Sequence, residues 1–144
     1  MQRVAILGSG GAGKSALAAA NAARADLPVV HLDVVYWKPG WTPPLEEEFA
    51  AALDHAVAGE RWILDGNFLR HGEPDPRFAR ADTVIFLDLP EGCRESIDLE
   101  FMRWVWRYPR RNRPRVLALL DGLDGVDVRR LRSTADVRRY VDAL

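Results

Sequence analysis

Gly8-Ser9-Gly10-Gly11-Ala12-Gly13-Lys14-Ser15 spells G-x-x-x-x-G-K-S, and the residues on either side decide how the chain folds. Ahead of it lies the short apolar run Val4-Ala5-Ile6-Leu7, and behind it Ala16-Leu17-Ala18-Ala19-Ala20, a strong helix former. Strand, glycine-rich loop and helix form the setting of a phosphate-binding P-loop. In that setting Gly8, Gly10, Gly11, Ala12 and Gly13 let the backbone curl until successive N–H groups converge on phosphate oxygens. Lys14 is then placed to reach the β- and γ-phosphates, and the Ser15 hydroxyl to ligate Mg²⁺. The positive end of the following helix adds to the same anion site. ATP with Mg²⁺ is therefore the expected cofactor pair.

The same glycines also fit a rival. Gly8-x-Gly10-x-x-Gly13 is a dinucleotide-binding fingerprint, and Asp33 lies 20 residues past Gly13, where a ribose-binding acid belongs. Lys14-Ser15 decides between them, since a triphosphate–Mg²⁺ site needs that pair and a dinucleotide fold does not.

A length of 144 residues suits one domain over 1–144. Charge is nearly balanced, 20 basic against 21 acidic residues, so no global field favours nucleic acid or membrane. The basic residues crowd the C-terminal third, with 12 from Arg94 onward against 8 before it. That third reads either as a phosphate-facing surface or as solvated helix. Cys93 is the only cysteine, which excludes an intrachain disulfide and suits a reducing compartment. With the first strand starting close to Met1 and no apolar run of membrane length, a cytoplasmic protein without membrane contact is expected.

Apolar runs over 3–7, 29–32, 62–64 and 83–87 read as strands, and 126–131 as a weaker fifth. Helices are expected from the P-loop to 25, over 45–58 with Thr42 or a neighbour opening it, over 96–108, over 114–120, and from Ser133 or Thr134 to the end. Residues 68–80, with two prolines, read as loop. Strands alternating with helices, and strand runs without polar alternation, make this an α/β chain with a parallel sheet.

Ligands bind beyond the carboxyl ends of such strands. Asp33, Asp65 and Asp88 close strands two, three and four, on the same edge as the P-loop. Asp88 follows four apolar residues as a Walker-B acid does and is the expected Mg²⁺ partner of Ser15. Leu89 stands where hydrolytic motors carry a water-activating glutamate, and N-K-x-D, the guanine signature, is absent. Both absences point to phosphoryl transfer onto a bound acceptor, which needs an acid near the acceptor hydroxyl and cations around the moving phosphoryl. Asp33 and Asp65 are candidates for the acid. Arg70, Arg77, Arg103, Arg107, Arg110 and Arg111 are candidates for the cations. Trp37 and Trp41 read either as ligand-stacking or as core aromatics, and His31 as a structural histidine on the face of Asp33. His55, His71 and Cys93 have no metal-ligand spacing.

Several of these stretches together resemble one family. Gly8 to Ser15, H-L-D-V-V-Y-W-K-P-G-W from His31, W-I-L-D-G-N-F from Trp62, A-D-T-V-I-F-L-D-L-P from Ala81, and F-M-R-W-V-W-R-Y-P from Phe101 are similar to the DNA topology modulation proteins, which are adenylate-kinase-like P-loop proteins. The resemblance implies the P-loop NTPase fold of nucleoside-monophosphate-kinase type, a five-stranded parallel sheet in the order 2-3-1-4-5 with helices on both faces. It implies ATP–Mg²⁺ roles for Lys14, Ser15 and Asp88, and acceptor-side positions for Asp33, Asp65 and Arg77. It also exposes a departure, because the arginine-bearing lid of this fold has no counterpart between Pro90 and Glu91. The lid is either absent or a mobile segment missing at 90–91, the second being favoured because such lids open and close over substrate.

The expected activity is that of an ATP–Mg²⁺-dependent kinase, with ATP and a small acceptor such as a nucleoside or nucleotide as partners. The alternative is a nucleotide-dependent switch or slow ATPase that binds a partner, DNA among them, through the Arg110–Arg115 cluster.

Overall fold

The computed structural model describes residues 1–40, 42–68, 75–89 and 112–144. Trp41, Arg70, Arg103, Arg107, Arg110 and Arg111, the helix expected over 96–108 and the lid junction Pro90–Glu91 lie outside the described residues. In chain order the elements are β1 (Arg3–Gly8), α1 (Lys14–Ala25), β2 (Val29–His31), α2 (Leu32–Tyr36), α3 (Glu46–Val57), β3 (Trp62–Asp65), α4 (Pro76–Arg80), β4 (Thr83–Leu87), a helix over 112–121 termed α5, β5 (Asp127–Leu131) and α6 (Thr134–Asp142).

The five strands form one sheet in the order β2-β3-β1-β4-β5, with every neighbouring pair parallel. Successive side chains of a strand point to opposite faces, and both faces here are covered. Ala5, Leu7, Leu64, Val84 and Phe86 pack with Leu53, Val57, Phe78, Val116 and Leu120 on the face of α3, α4 and α5. Val4, Ile6, Ile63, Ile85 and Leu87 pack with Leu17 and Ala18 of α1, and Val137 and Tyr140 of α6 lie against them. This double cover is why the strand runs show no polar alternation. No helix among the described residues is long and apolar enough to cross a membrane.

Three local features depart from the sequence reading. The strand expected over 29–32 stops at His31, which pairs with Asp65, the last residue of β3. With no neighbouring strand beyond Asp65, the chain turns into the five-residue helix α2 instead, closed by a bond from the Trp37 N–H to the Asp33 carbonyl at 3.1 Å. The second helix opens at Leu45 rather than Thr42 because Pro43 and Pro44 hold the residues before them extended. Its first turn is closed by Glu48, whose carboxylate accepts from the Leu45 N–H at 2.8 Å and from Lys38 Nζ at 2.6 Å. Within the expected loop over 68–80, Asp75 caps α4 through the Arg77 N–H at 3.0 Å, with Pro76 at the first helical position.

The edge between β4 and β5 is closed by ion pairs on Asp88. Arg113 donates to its carboxylate through Nε at 2.6 Å and Nη2 at 3.1 Å, and Arg130 through Nε at 2.8 Å and Nη2 at 2.5 Å. Burial pushes the Asp88 carboxyl up, but hydrogen bonds and charge from Arg113 and Arg130 outweigh it and hold the group below the usual aspartate value. Asp88 is thus the counter-ion of two guanidiniums in this structure, where the sequence expectation set it beside Ser15 as a Mg²⁺ partner. β5 brings Arg130 level with Phe86 across the sheet, two residues before Asp88, a pairing that no local pattern announces.

Two tests follow from this packing. Leu53 is fully buried between α3 and the sheet, and Leu53→Ala is expected to cost about 2–5 kcal/mol, read as a lower denaturant midpoint at unchanged m-value. Asp88→Asn is expected to cost about 1–3 kcal/mol at neutral pH by leaving two guanidiniums without their carboxylate. A lowered folded-state value means the parent's advantage is full above the ordinary aspartate pKa of about 4 and fades as pH falls through the lowered value. Unfolding titrations of parent and variant at neutral and acid pH should therefore converge on the acid side.

Candidate active site

The P-loop occupies the turn from β1 into α1. Gly8 ends the strand, the Ala12 N–H bonds the Ser9 carbonyl at 3.2 Å, and Gly13 takes up left-handed backbone (φ 87°) directly before Lys14. An L side chain is strained there, so glycine at 13 is a conformational requirement. Gly13, at the N-cap position, offers no side chain to the first turn of α1. Lys14 folds back over the loop, donating from Nζ to the Ser9 carbonyl at 3.0 Å.

The root of this loop is held by the residues after β3. The Gly66 N–H continues the ladder to the Ile6 carbonyl at 3.1 Å. One residue on, the Asn67 side chain takes over the role of a strand backbone. Its Oδ1 accepts from the Gly8 N–H at 3.0 Å, and its Nδ2 donates to the Gly8 carbonyl. A carboxamide carries one acceptor and a donor group on the same carbon, which is what a two-way pairing with a peptide unit requires. Between them, Gly66 has φ 139°, and a Cβ there would sit 2.7 Å from the Leu32 Cβ. Any larger residue would push α2 away from the loop.

Asp65 is the acid that faces the P-loop. It is 4% exposed, at the carboxyl end of β3. Its Oδ2 accepts from the Ser15 hydroxyl at 2.7 Å, and its Oδ1 pairs with His31 Nδ1 at 2.7 Å. The sheet brings these partners together. β3 lies directly beside β1, with Asp65 level with Ile6 on one side and His31 on the other. Sequence reasoning put Asp65 with the acceptor and His31 among structural histidines, and it assigned Asn67 nothing. The D-G-N triplet was the available signal, but its meaning lies in β1–β3 adjacency.

Arg77, expected on the acceptor side, is fully buried. Nε and Nη2 fork onto Asp75 at 2.9 and 2.7 Å, while Nη1 and Nη2 also donate to the Gly66 and Phe68 carbonyls at 2.8 and 3.0 Å. Its charge is matched by Asp75 and its donors hold the 66–68 backbone. It thereby holds the start of the loop that follows β3.

Asp33 stands in the first turn of α2, exposed at the carboxyl end of β2, and its carboxylate has no partner among the described residues. The following residues anchor that turn. Tyr36 stacks on Phe68 (centroids 4.3 Å apart) and meets Phe49 edge-on at 5.0 Å, which ties α2 to α3 and to the loop after β3. Trp37 stands edge-on to Tyr36 at 5.0 Å and is 38% exposed, so part of its ring remains available at the surface. In the arginine cluster read as a DNA contact, Arg113 is committed to Asp88, while Arg115 is exposed.

A sugar kinase from Janibacter sp. HTCC2649, unliganded, is similar with a TM-score of 0.59 at 18% identity, covering 99% of this chain and 93% of that one. Shikimate kinase from Bacteroides thetaiotaomicron gives a TM-score of 0.60 at 14% identity, covering 99% and 95%. Shikimate kinase from Aquifex aeolicus gives 0.56 at 15%, covering 98% and 92%. No family model and no curated protein matches the chain. The five-stranded parallel sheet in the order 2-3-1-4-5, with a P-loop at the end of its central strand, is the fold of the P-loop kinases.

Proposed function

We propose that the chain is an ATP- and Mg²⁺-dependent phosphotransferase acting on a small acceptor such as a nucleoside, nucleotide or similar metabolite. The observation that carries this reading is the 2.7 Å contact between the Ser15 hydroxyl and the buried Asp65 carboxylate at the mouth of the P-loop. Serine and aspartate oxygens are hard donors, and Mg²⁺ is ordinarily held by one or two such protein ligands, with water and substrate phosphates completing the shell. The residues therefore fit the ion, with Ser15 and Asp65 holding it in place of the Ser15–Asp88 pair expected from sequence. When bound, Mg²⁺ neutralises charge on the β- and γ-phosphates.

The remaining roles follow from position. Backbone amides of Gly10, Gly11, Gly13, Lys14 and Ser15 bind and orient the triphosphate, and Lys14 leaves the Ser9 carbonyl to pair with phosphate oxygens. In transfer, the bond from the γ-phosphorus to the β–γ bridging oxygen breaks and one to the acceptor hydroxyl oxygen forms. Asp33, exposed and without a partner among the described residues, takes the hydroxyl proton. A small acceptor is supported by the names of the structural neighbours, sugar kinase and shikimate kinase, which specify small molecules rather than a macromolecule.

Lys14→Ala is expected to weaken ATP binding about 10-fold or more while leaving the melting temperature unchanged, because a charge-assisted contact to phosphate is lost and no core contact is. Calorimetric titration with ATP checks this, and undiminished affinity would remove the site assignment. Asp33→Asn is expected to lower acceptor-stimulated ADP release by about 10²–10⁴ with ATP affinity nearly unchanged. Screening acceptors by ADP release supplies the substrate for that measurement, and a variant as active as the parent would take Asp33 out of the reaction.

A further inference from the structure

Asp65 is a buried carboxylate with one donor on each oxygen, Ser15 on Oδ2 and His31 on Oδ1, both at 2.7 Å. A carboxylate only accepts, so the proton in the second contact sits on Nδ1 of the imidazole. His31 is not placed there by its own packing, since its side chain is 44% exposed while Asp65 is 4% exposed. It is placed by the sheet. β2 ends at His31 in register with Asp65, and Leu32, 0% exposed, pins the chain as it turns into α2. The outcome is a relay of three side chains from three elements, β2, β3 and α1, ending at the P-loop serine.

We infer that His31 is a positioning residue for nucleotide-bound Mg²⁺, fixing the rotation of the Asp65 carboxylate so that Oδ2 stays at Ser15. This rests on the reading of Ser15 and Asp65 given above and extends it by one residue. A carboxylate turns about its last side-chain torsion over a broad range unless both oxygens are held. With Oδ1 fixed by the imidazole, the only oxygen left for the P-loop is the one already beside the Ser15 hydroxyl. Removing the imidazole leaves Oδ1 buried without a donor, and the carboxylate regains its donor by turning away from Ser15 toward other N–H groups or solvent. Groups that orient metal-binding side chains from one shell out commonly change metal affinity 10–100-fold when removed. A merely structural histidine would instead lower stability and leave the metal dependence of nucleotide binding alone.

Conservative variants separate the two. The side-chain nitrogen of Asn lies the same number of bonds from Cα as Nδ1 of His, and that of Gln one bond farther, at the reach of Nε2. Calorimetric titration of ATP into His31→Ala, His31→Asn, His31→Gln and the parent, each with Mg²⁺ and with EDTA, reads the effect without turnover. In EDTA all four are expected to bind ATP alike, because the amide cradle and Lys14 are untouched. With Mg²⁺ the parent gains affinity, His31→Ala and His31→Gln lose about 10-fold or more of that gain, and His31→Asn recovers most of it. Melting temperatures measured alongside show that each variant is folded. A full Mg²⁺ gain in His31→Ala, or His31→Asn no better than His31→Ala, overturns the proposal while the nucleotide-site reading stands. A parent that binds no ATP under either condition overturns that reading itself, and this proposal with it.

Discussion

A single buried carboxylate organises the functional edge of this protein. Asp65 takes a hydrogen bond from the P-loop through Ser15 and one from the end of β2 through His31, so one residue ties α1, β2 and β3 at the place where the chain leaves the sheet. A carboxylate this far from water is expensive unless every lone pair facing the interior finds a donor. The parallel pairing of β3 between β2 and β1 brings both donors to it. The same pairing, carried past the strand end by Gly66 and the Asn67 amide, fixes where the P-loop begins. The P-loop and the acid are thereby set against each other by the β1–β3 ladder and by the side chains of Ser15 and Asn67.

Charge is used in two distinct ways. Arg77 with Asp75, and Arg113 and Arg130 with Asp88, are ion pairs with at least one buried partner, and they fasten loops and strand edges. Burying such groups is tolerable because each fork meets a carboxylate, and the other donors of Arg77 reach the Gly66 and Phe68 carbonyls. By contrast, Asp33 stands exposed at the strand edge and Ser15 is exposed on the first turn of α1. The paired arginines are neutralised within the frame, whereas the Asp33 carboxylate faces solvent at the end of β2.

The short helix α2 shows how one local event shapes the site. Because β2 ends level with Asp65, Asp33 moves from a strand onto a helical turn, and Tyr36 swings into the aromatic group with Phe49 and Phe68. That packing anchors the acid-bearing turn to α3 and to the loop held by Arg77, so the exposed carboxylate sits on a supported element.

The sequence alone determined the sheet class, the P-loop and most strand positions. These are written locally, in glycine spacing, in Lys14-Ser15 and in unbroken apolar runs that only a doubly covered sheet explains. It also marked the strand-end edge as the place where acids collect. It could not say which acid served which purpose, because Asp33, Asp65 and Asp88 look alike as aspartates after apolar runs. Tertiary contacts decided that. β1 is flanked by both β3 and β4, yet Asp65, level with Ile6 at the end of β3, bonds Ser15, whereas Asp88, one residue past β4, meets Arg130 of β5 and Arg113. Arg77 differed for the same reason, since burial and a partner two residues away are properties of the folded loop. Local chemistry sets what a residue can do, and contacts between residues distant in sequence set which of those things it does.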